Sequence, residues 1–254
     1  LEANYHVLTD SVRGVDNILY SNAVDAEATG GQITSFNSDG FVLEYSGGQN
    51  VKFNKSGGSY VAWNWKANGS GSSNTDGSIN TTKTSANVDA GFSIISYTGN
   101  GTAGATVGHG LSKAPEMIIH KQRTDDNTWW AVYHKDNGNA QGFYLNDVRD
   151  IEDFSSVWNS TSPSSSVITF GTNNLTNENL HNYILYAFHS VDGYSKVGSY
   201  IGNGVATAAS VFVYTGFRPA WLLVKRTDDN GNWYTWDSTR APNNVIGNRL
   251  YLDG

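Results

Sequence analysis

The sequence contains no cysteine, only four prolines and one methionine, and no long apolar run. Without cysteine, the chain can form neither disulfide bonds nor a zinc site built from thiolates. A membrane-spanning helix needs roughly 18 consecutive apolar residues, so we expect no membrane insertion. Basic residues are also few, since 16 Lys and Arg stand against 23 Asp and Glu and give a net charge of −7. Nucleic-acid-binding proteins normally carry a basic stripe, so this acidic balance argues against a nucleic-acid partner.

The residues that are abundant favour strands and tight turns. Aromatic residues make up 13% of the chain, charged residues only 15%, and there are 28 glycines. Val61, Trp63 and Trp65 alternate with Ala62 and Asn64, which is the period of a strand with one buried face. We therefore predict an all-β fold, an antiparallel β-sandwich of the jelly-roll or lectin-like type.

Long stretches of the chain occur more than once. The string "HKQRTDDNTWWAV" (120–132) returns as "VKRTDDNGNWYTW" (224–236). Three further pairs follow the same order: "GFSIISYTGNG" (91–101) with "GYSKVGSYIGNG" (193–204), "GFYLND" (142–147) with "NRLYLDG" (248–254), and "NYHVLTDSVRG" (4–14) with "NWYTWDSTRAP" (232–242). A period of about 100 residues is too long for a solenoid repeat and fits a whole β domain. Thr-Asp-Asp-Asn, between an apolar and an aromatic stretch in both copies, is best read as a hairpin turn.

The repeat predicts a division of the chain into four parts. Residues 1–66 carry the back half of a unit, 67–90 a polar linker, 91–191 a complete unit, and 192–254 the front half of another. The two halves complement each other, either within one chain or head to tail between chains, and we expect self-association. The start at Leu1 rather than Met indicates a processed product or a piece of a longer protein.

The repeat also serves as an internal control on catalytic groups. His120 corresponds to Val224, and Glu116 corresponds to Ala220, so neither candidate is kept in the sister copy. No Ser-His-Asp order recurs and no histidine pair has metal-binding spacing. We predict no catalytic residue and no cofactor. Three carboxylates without clear counterparts leave glycan depolymerisation open, because a catalytic pair meets only in the fold: Glu152, Asp153 and Glu178.

Two features suggest binding rather than catalysis. Tyr5, Trp129 and Trp233 are predicted to lie on the outward face of the strand after the turn. They would either stack on sugar rings or pack against a neighbouring unit or subunit. The Asp and Asn oxygens of turns 125–127 and 228–230 suit calcium, although their spacing fits no defined calcium loop and a plain turn is favoured.

Several strings resemble a repeat family frequent in virion proteins of tailed phages, especially marine ones. They span nearly the whole chain: "DSVRG", "FNSDGFVL", "YVAWNWKANG", "GFSIISYTGNGTAGATVGHGL" and "VYTGFRPAWLLVKRTD". The resemblance implies a non-enzymatic structural or tail-fibre-like protein with lectin-like domains, exposed on the virion surface. Its expected partners are further copies, other virion proteins and a glycan of the host surface. A carbohydrate-binding module and a tail-spike depolymerase are the alternatives.

Overall fold

The computed structural model describes residues 5–30, 32–44, 54–205, 210–244 and 246–254, and these form an all-β protein with antiparallel sheets, as predicted. The remaining positions of the predicted N-terminal and C-terminal halves lie outside the described residues. The strands are β1 (Val7–Asp10), β2 (Gly14–Tyr20), β3 (Ile33–Phe36), β4 (Phe41–Leu43), β5 (Lys83–Asn87), β6 (Phe92–Thr98), β7 (Ala105–Gly108), β8 (Met117–Gln122), β9 (Ala131–His134), β10 (Gln141–Tyr144), β11 (Glu152–Asp153), β12 (Val167–Phe170), β13 (Asn182–Phe188), β14 (Trp221–Val224), β15 (Tyr234–Asp237) and β16 (Leu250–Tyr251). Helical structure is limited to α1 (Ser155–Trp158) and a 3-10 turn, Lys135–Asn137. No helix in the described part of the chain has the length and apolarity needed to cross a membrane.

A seven-stranded antiparallel sheet forms the centre of the protein. Its strand order is β11-β10-β9-β8-β13-β6-β5. The inner strand β13 pairs with β6 from Asn182↔Thr98 to Phe188↔Phe92, and with β8 on its other side. Four smaller sheets surround it: β1-β2, β3-β4, β7-β12 and β14-β15-β16.

The central sheet is buried on both faces, whereas the alternating pattern had suggested one buried face per strand. On β13, Tyr183 and Leu185 pack on one side while Ile184 and Tyr186 pack on the other, and all four are buried. The first face is covered by β7, β12 and α1, which supply Val107, Ile168, Phe170, Val157 and Trp158. The second face is covered by the two ends of the chain, which supply Leu19, Val12 and Trp233. Both chain ends therefore belong to one core.

The segment 67–90 is not the linker that we predicted. It contains β5, the edge strand of the central sheet, which pairs with β6 from Lys83↔Ser96 to Asn87↔Phe92. Ile79 is buried in the core and bridges to Val107. Ser85 is fully buried, and its hydroxyl donates to Gly69 O over 2.8 Å. The polar composition misled the prediction because these hydroxyls bond within the protein rather than to water.

Residues 59–66 bring the N-terminal part of the chain against its C-terminal part. We expected a strand here, but the segment forms none. Ring contacts hold it instead, since Trp63 and Trp65 lie 6.3 and 5.2 Å from Trp221, between ring centroids. The Trp63 indole also donates to Asp237 Oδ2 over 3.3 Å. These contacts join the two predicted half-units within one chain.

The repeated Asp-Ser-x-Arg motif forms the same turn in both of its copies. Asp10 Oδ1 accepts the backbone N–H of Arg13 over 2.9 Å, and Asp10 Oδ2 lies 2.6 Å from Arg13 Nε. Asp237 and Arg240 repeat both contacts at the same two distances. The copies differ in burial, because the Arg13 side chain is 0% exposed and that of Arg240 is 21% exposed. The Tyr186 hydroxyl also donates to Asp10 Oδ2, over 2.8 Å.

His120 is a buried part of the core, as its Val224 counterpart indicated. It is 0% exposed, and its Nε2 lies 2.8 Å from the hydroxyl of Tyr97. That hydroxyl donates to Thr176 O, so it accepts a hydrogen bond from Nε2–H. Burial lowers the pKa of His120 to about 3, which keeps the imidazole neutral at ordinary pH.

The difference in burial predicts unequal effects of the same substitution in the two turns. Asp10→Asn leaves a buried guanidinium with less charge compensation and should lower the free energy of unfolding by about 3 kcal/mol. Asp237→Asn, in the more exposed turn, should cost about 1 kcal/mol. Urea denaturation of both variants measures the difference. Equal losses would contradict the greater importance of the buried pair.

The buried imidazole predicts a pH dependence of stability. In the unfolded chain His120 binds a proton below a pKa of about 6.5, whereas in the folded protein it stays neutral to about pH 3. The unfolded state then holds more protons, so the free energy of unfolding falls as pH falls, by about 1.4 kcal/mol per unit from this group. His120→Val should therefore fold and lose about 2 kcal/mol less than the original protein between pH 6.5 and 5 in urea denaturation. Identical pH slopes would contradict the neutral buried state.

Candidate functional site

Three β-hairpins of the chain are equivalent: the first hairpin is β1-β2, the second is β9-β10 and the third is β15-β16. Each has an equivalent cross-strand pair with a tyrosine on the second strand: Val7↔Tyr20, Ala131↔Tyr144 and Tyr234↔Tyr251. In each of the three hairpins, the residue before this pair makes the same backbone contact. Its N–H donates to the side chain of an Asn or Asp: His6 to Asn22 (2.9 Å), Trp130 to Asn146 (3.0 Å) and Trp233 to Asp253 (3.2 Å). His6, Trp130 and Trp233 therefore occupy one structural position.

This register corrects the sequence alignment by one residue. We had matched Trp233 with Trp129, but strand pairing matches it with Trp130. Both tryptophans at the shared position are buried, at 0% exposure for Trp130 and 5% for Trp233. Two adjacent tryptophans made the alignment ambiguous, and only the strand ladder resolves it.

The second hairpin and the residues before it bind the first hairpin through backbone carbonyls. The Trp130 indole donates to Tyr20 O over 2.9 Å. Val24 O accepts from the Thr128 N–H over 3.2 Å and from Lys121 Nζ over 3.1 Å. All these donors come from one short segment ahead of β9 or from the end of β8.

The third hairpin binds the second in the same way. The Trp233 indole donates to Tyr144 O over 2.8 Å. Val148 O accepts from the Gly231 N–H over 2.7 Å and from Lys225 Nζ over 2.8 Å. The two interfaces thus repeat the donors, the acceptors and their order.

The Thr-Asp-Asp-Asn turn takes part in both interfaces. Asp126 Oδ1 accepts the backbone N–H of Ala26 over 2.8 Å, and Asn230 Oδ1 accepts that of Asp150 over 3.2 Å. The turn connects two strands, as predicted, and it also holds the preceding hairpin. Each of these two interfaces needs such a turn, which explains why the motif occurs twice in the sequence.

A third interface joins the first hairpin to the third and closes a ring. Ser21 Oγ donates to Leu252 O over 3.4 Å, and Asn22 Nδ2 donates to Gly254 O over 3.2 Å. His6 stands where the other hairpins have tryptophan. Burial lowers its pKa, while Leu252 O and the charge of Asp253 act in the opposite direction.

Two lysines, Lys121 and Lys225, are interface residues that sequence reasoning missed. Lys121 is fully buried, and its Nζ also donates to Thr128 O over 2.6 Å and to Thr128 Oγ1 over 2.7 Å. Burial lowers the pKa of Lys121 to about 8, opposed by the charges of Asp25 and Asp126. The available signal was a lysine kept at one place ahead of the repeated turn.

The three aromatic candidates do not form the outward row that we predicted. Tyr5 is 55% exposed and stacks on Tyr20 with ring centroids 4.5 Å apart. Trp129 is half-buried beside Tyr144, and the Arg149 guanidinium lies 4.4 Å from its ring centroid. Trp233 is buried between hairpins, which fits the packing alternative for that residue.

The turns considered for calcium differ from each other. In turn 228–230, Asp228 and Asp229 lie 2.8 and 2.9 Å from Arg226, so their carboxylates are paired with a cation of the protein. In turn 125–127, Asp126 binds the first hairpin, and Asp125 lies 2.9 Å from His181 Nε2.

The carboxylates weighed for glycan hydrolysis have structural contacts. Glu116 Oε1 lies 2.8 Å from Lys135 Nζ, and its other oxygen accepts from Ser190. These hydrogen bonds lower its pKa against the effect of burial. Asp153 Oδ1 accepts the N–H of Ser155 over 2.8 Å at the start of α1, and Glu152 precedes it on β11. Glu178 lies near Asp125 and His181.

The fold and these interfaces define an all-β repeat protein built on a ring of three hairpins. The chain belongs to the family described as Domain of unknown function (DUF7483), whose model matches residues 1–253. No curated protein and no solved structure matches it.

The repeated indole-to-carbonyl bond predicts equal effects in the two interfaces. Trp130→Phe and Trp233→Phe each leave a buried carbonyl without its donor and should each lower the free energy of unfolding by about 2 kcal/mol. Trp129→Phe is the matched control and should cost less than about 1 kcal/mol, since its ring lies at the surface beside Arg149. Urea denaturation of the three variants measures the losses. A control as destabilised as the other two would contradict the shared structural position.

Proposed function

We propose that this protein is a non-enzymatic structural component of a virion surface, as part of a tail fibre, an appendage or a surface filament. The supporting observation is the repeated hairpin interface, in which one set of donors and acceptors joins the first hairpin to the second and the second to the third. One set of contacts thus joins successive units, which is how repeat proteins with structural roles are built. The motif resemblance to tailed-phage virion proteins agrees with this role.

An exposed apolar segment supports association with other copies or other virion proteins. Residues 193–204 correspond in sequence to β6. Residues 211–214 come after them, at the place that β7 occupies after β6 in the complete unit. In the complete unit these strands are buried, whereas Ile201, Phe212 and Tyr214 are 91%, 86% and 78% exposed. Proteins rarely expose several large apolar side chains of one segment to this degree without a partner.

A carbohydrate-binding module is the second candidate, and one groove favours it. The groove is lined by Lys66, Asn68, Asn87, Asp89 and Tyr194, among others. Tyr194 is 58% exposed, so its ring can stack on a sugar while the Asn68 amide and the Asp89 carboxylate bind hydroxyl groups. This site, rather than the row of Tyr5, Trp129 and Trp233, is the better candidate for host-glycan adhesion.

The structural role predicts self-association through the exposed segment. Light scattering on the purified protein should give a molar mass that rises with protein concentration. The double variant Phe212→Ser, Tyr214→Ser should remain monomeric with an unchanged melting temperature. Leu180→Ser is the control, because Leu180 is 77% exposed on the complete unit and should not affect association. A monomer at every concentration would contradict the proposal.

A glycan array separates the second candidate from the first. If the groove binds sugar, the original protein should give glycan signals that Tyr194→Ala abolishes and Tyr5→Ala retains. Signals that do not depend on Tyr194 would exclude the groove. A silent array together with concentration-dependent association would leave the structural role alone.

A further inference from the structure

Three possible metal ligands meet on the surface of the complete unit. Asp125 comes from the turn between β8 and β9, and Glu178 and His181 come from the loop before β13. One ligand atom of each residue lies within 4.8 Å of the others. The side chain of His181 is 24% exposed and those of Asp125 and Glu178 are about half exposed, at 48% and 45%, so an ion and its water molecules can reach them.

The orientation of the His181 ring places two acceptor atoms, His181 Nε2 and Asp125 Oδ2, opposite each other. His181 Nδ1 lies 3.0 Å from Asn179 O, and a carbonyl can only accept, so Nδ1 carries a proton. In the neutral ring Nε2 then presents its lone pair to Asp125 Oδ2, at 2.9 Å. A metal ion placed between these two acceptor atoms would bind both of them. Histidines that bind metals usually donate their other N–H to a backbone carbonyl in this way.

A buried amide contacts the same cluster through its nitrogen and has an oxygen without a partner. Gln122 is 0% exposed, and its Nε2 lies 3.3 Å from Glu178 Oε2. Its Oε1 is also buried and has no hydrogen-bond partner among the described residues. Buried polar atoms are normally paired, so a donor such as a water molecule is expected beside this oxygen.

The other copies show that the fold does not require this cluster. The string "SYVAWNWKANG" (59–69) matches "NYILYAFHSVDG" (182–193), and extending this match four residues backwards without a gap places Lys55 opposite Glu178 and Gly58 opposite His181. In the third hairpin, the carboxylates of the equivalent turn pair with Arg226 instead. The turn therefore closes without a histidine and a second carboxylate, and their presence in one copy needs another explanation.

We propose that Asp125, Glu178 and His181 bind a divalent transition-metal ion such as Zn²⁺. An imidazole nitrogen with two carboxylate oxygens is a donor set that zinc accepts, while calcium and magnesium prefer oxygen alone. Ligand atoms around tetrahedral zinc stand roughly 3.4 Å apart, so the His181–Asp125 pair would open by about half an ångström. The ion would join the turn that holds the first hairpin to the loop before β13.

Isothermal titration of metal-free, untagged protein with zinc chloride at neutral pH tests the site. We expect one saturable site per chain and a melting temperature that rises with zinc. His181→Ala and Asp125→Asn should each weaken zinc binding about tenfold or more. Asp228→Asn, in the equivalent turn of the third hairpin, is the matched control and should bind like the original. Calcium chloride should give no saturable binding.

Cobalt chloride gives a second measurement, because a Co²⁺ ion with nitrogen and oxygen ligands absorbs visible light and the band should disappear in His181→Ala. Far-ultraviolet circular dichroism checks that each variant is folded. The proposal is overturned by the absence of saturable zinc binding up to millimolar concentration, by His181→Ala that binds as well as the original, or by a preference for calcium.

Discussion

The contact on which the rest of the structure depends is the hydrogen bond from a buried tryptophan indole to a backbone carbonyl of the neighbouring hairpin. Trp130 makes it to Tyr20 O and Trp233 makes it to Tyr144 O. Each bond contributes only about 1 kcal/mol in itself. However, the indoles also bury large apolar surfaces against the second face of the central sheet, so the same side chain sets both the position of the hairpin and the packing of the core.

The closure of three hairpins by the two ends of the chain explains the burial of the central sheet. The complete unit supplies the sheet and one cover, and the chain ends supply the other cover. Predicted half-units thus contribute to a common core rather than to separate domains. Trp63, Trp65 and Trp221 join the same two ends a second time.

Sequence patterns were sufficient for the all-β class, the turns and the repeat, because alternation and Asn, Asp and Gly clusters are local signals. They misplaced Trp233 by one residue, since two adjacent tryptophans cannot be told apart without a strand partner. They missed β5 and Ile79, because a polar edge strand has the composition of a loop. They also missed the cluster of Asp125, Glu178 and His181, because more than fifty residues separate its turn from its loop.

The acceptors of the hairpin interfaces are main-chain oxygens, and this has a consequence for variation. Every residue type carries the same carbonyl, so the side chains at Val24 and Val148 do not determine whether Lys121 and Lys225 find their partners. The acceptor side of each hairpin interface is therefore nearly independent of amino-acid identity. The donor side is confined to a short segment. The sequence of the loop that carries these carbonyls can therefore change while the hydrogen bonds between neighbouring hairpins are retained.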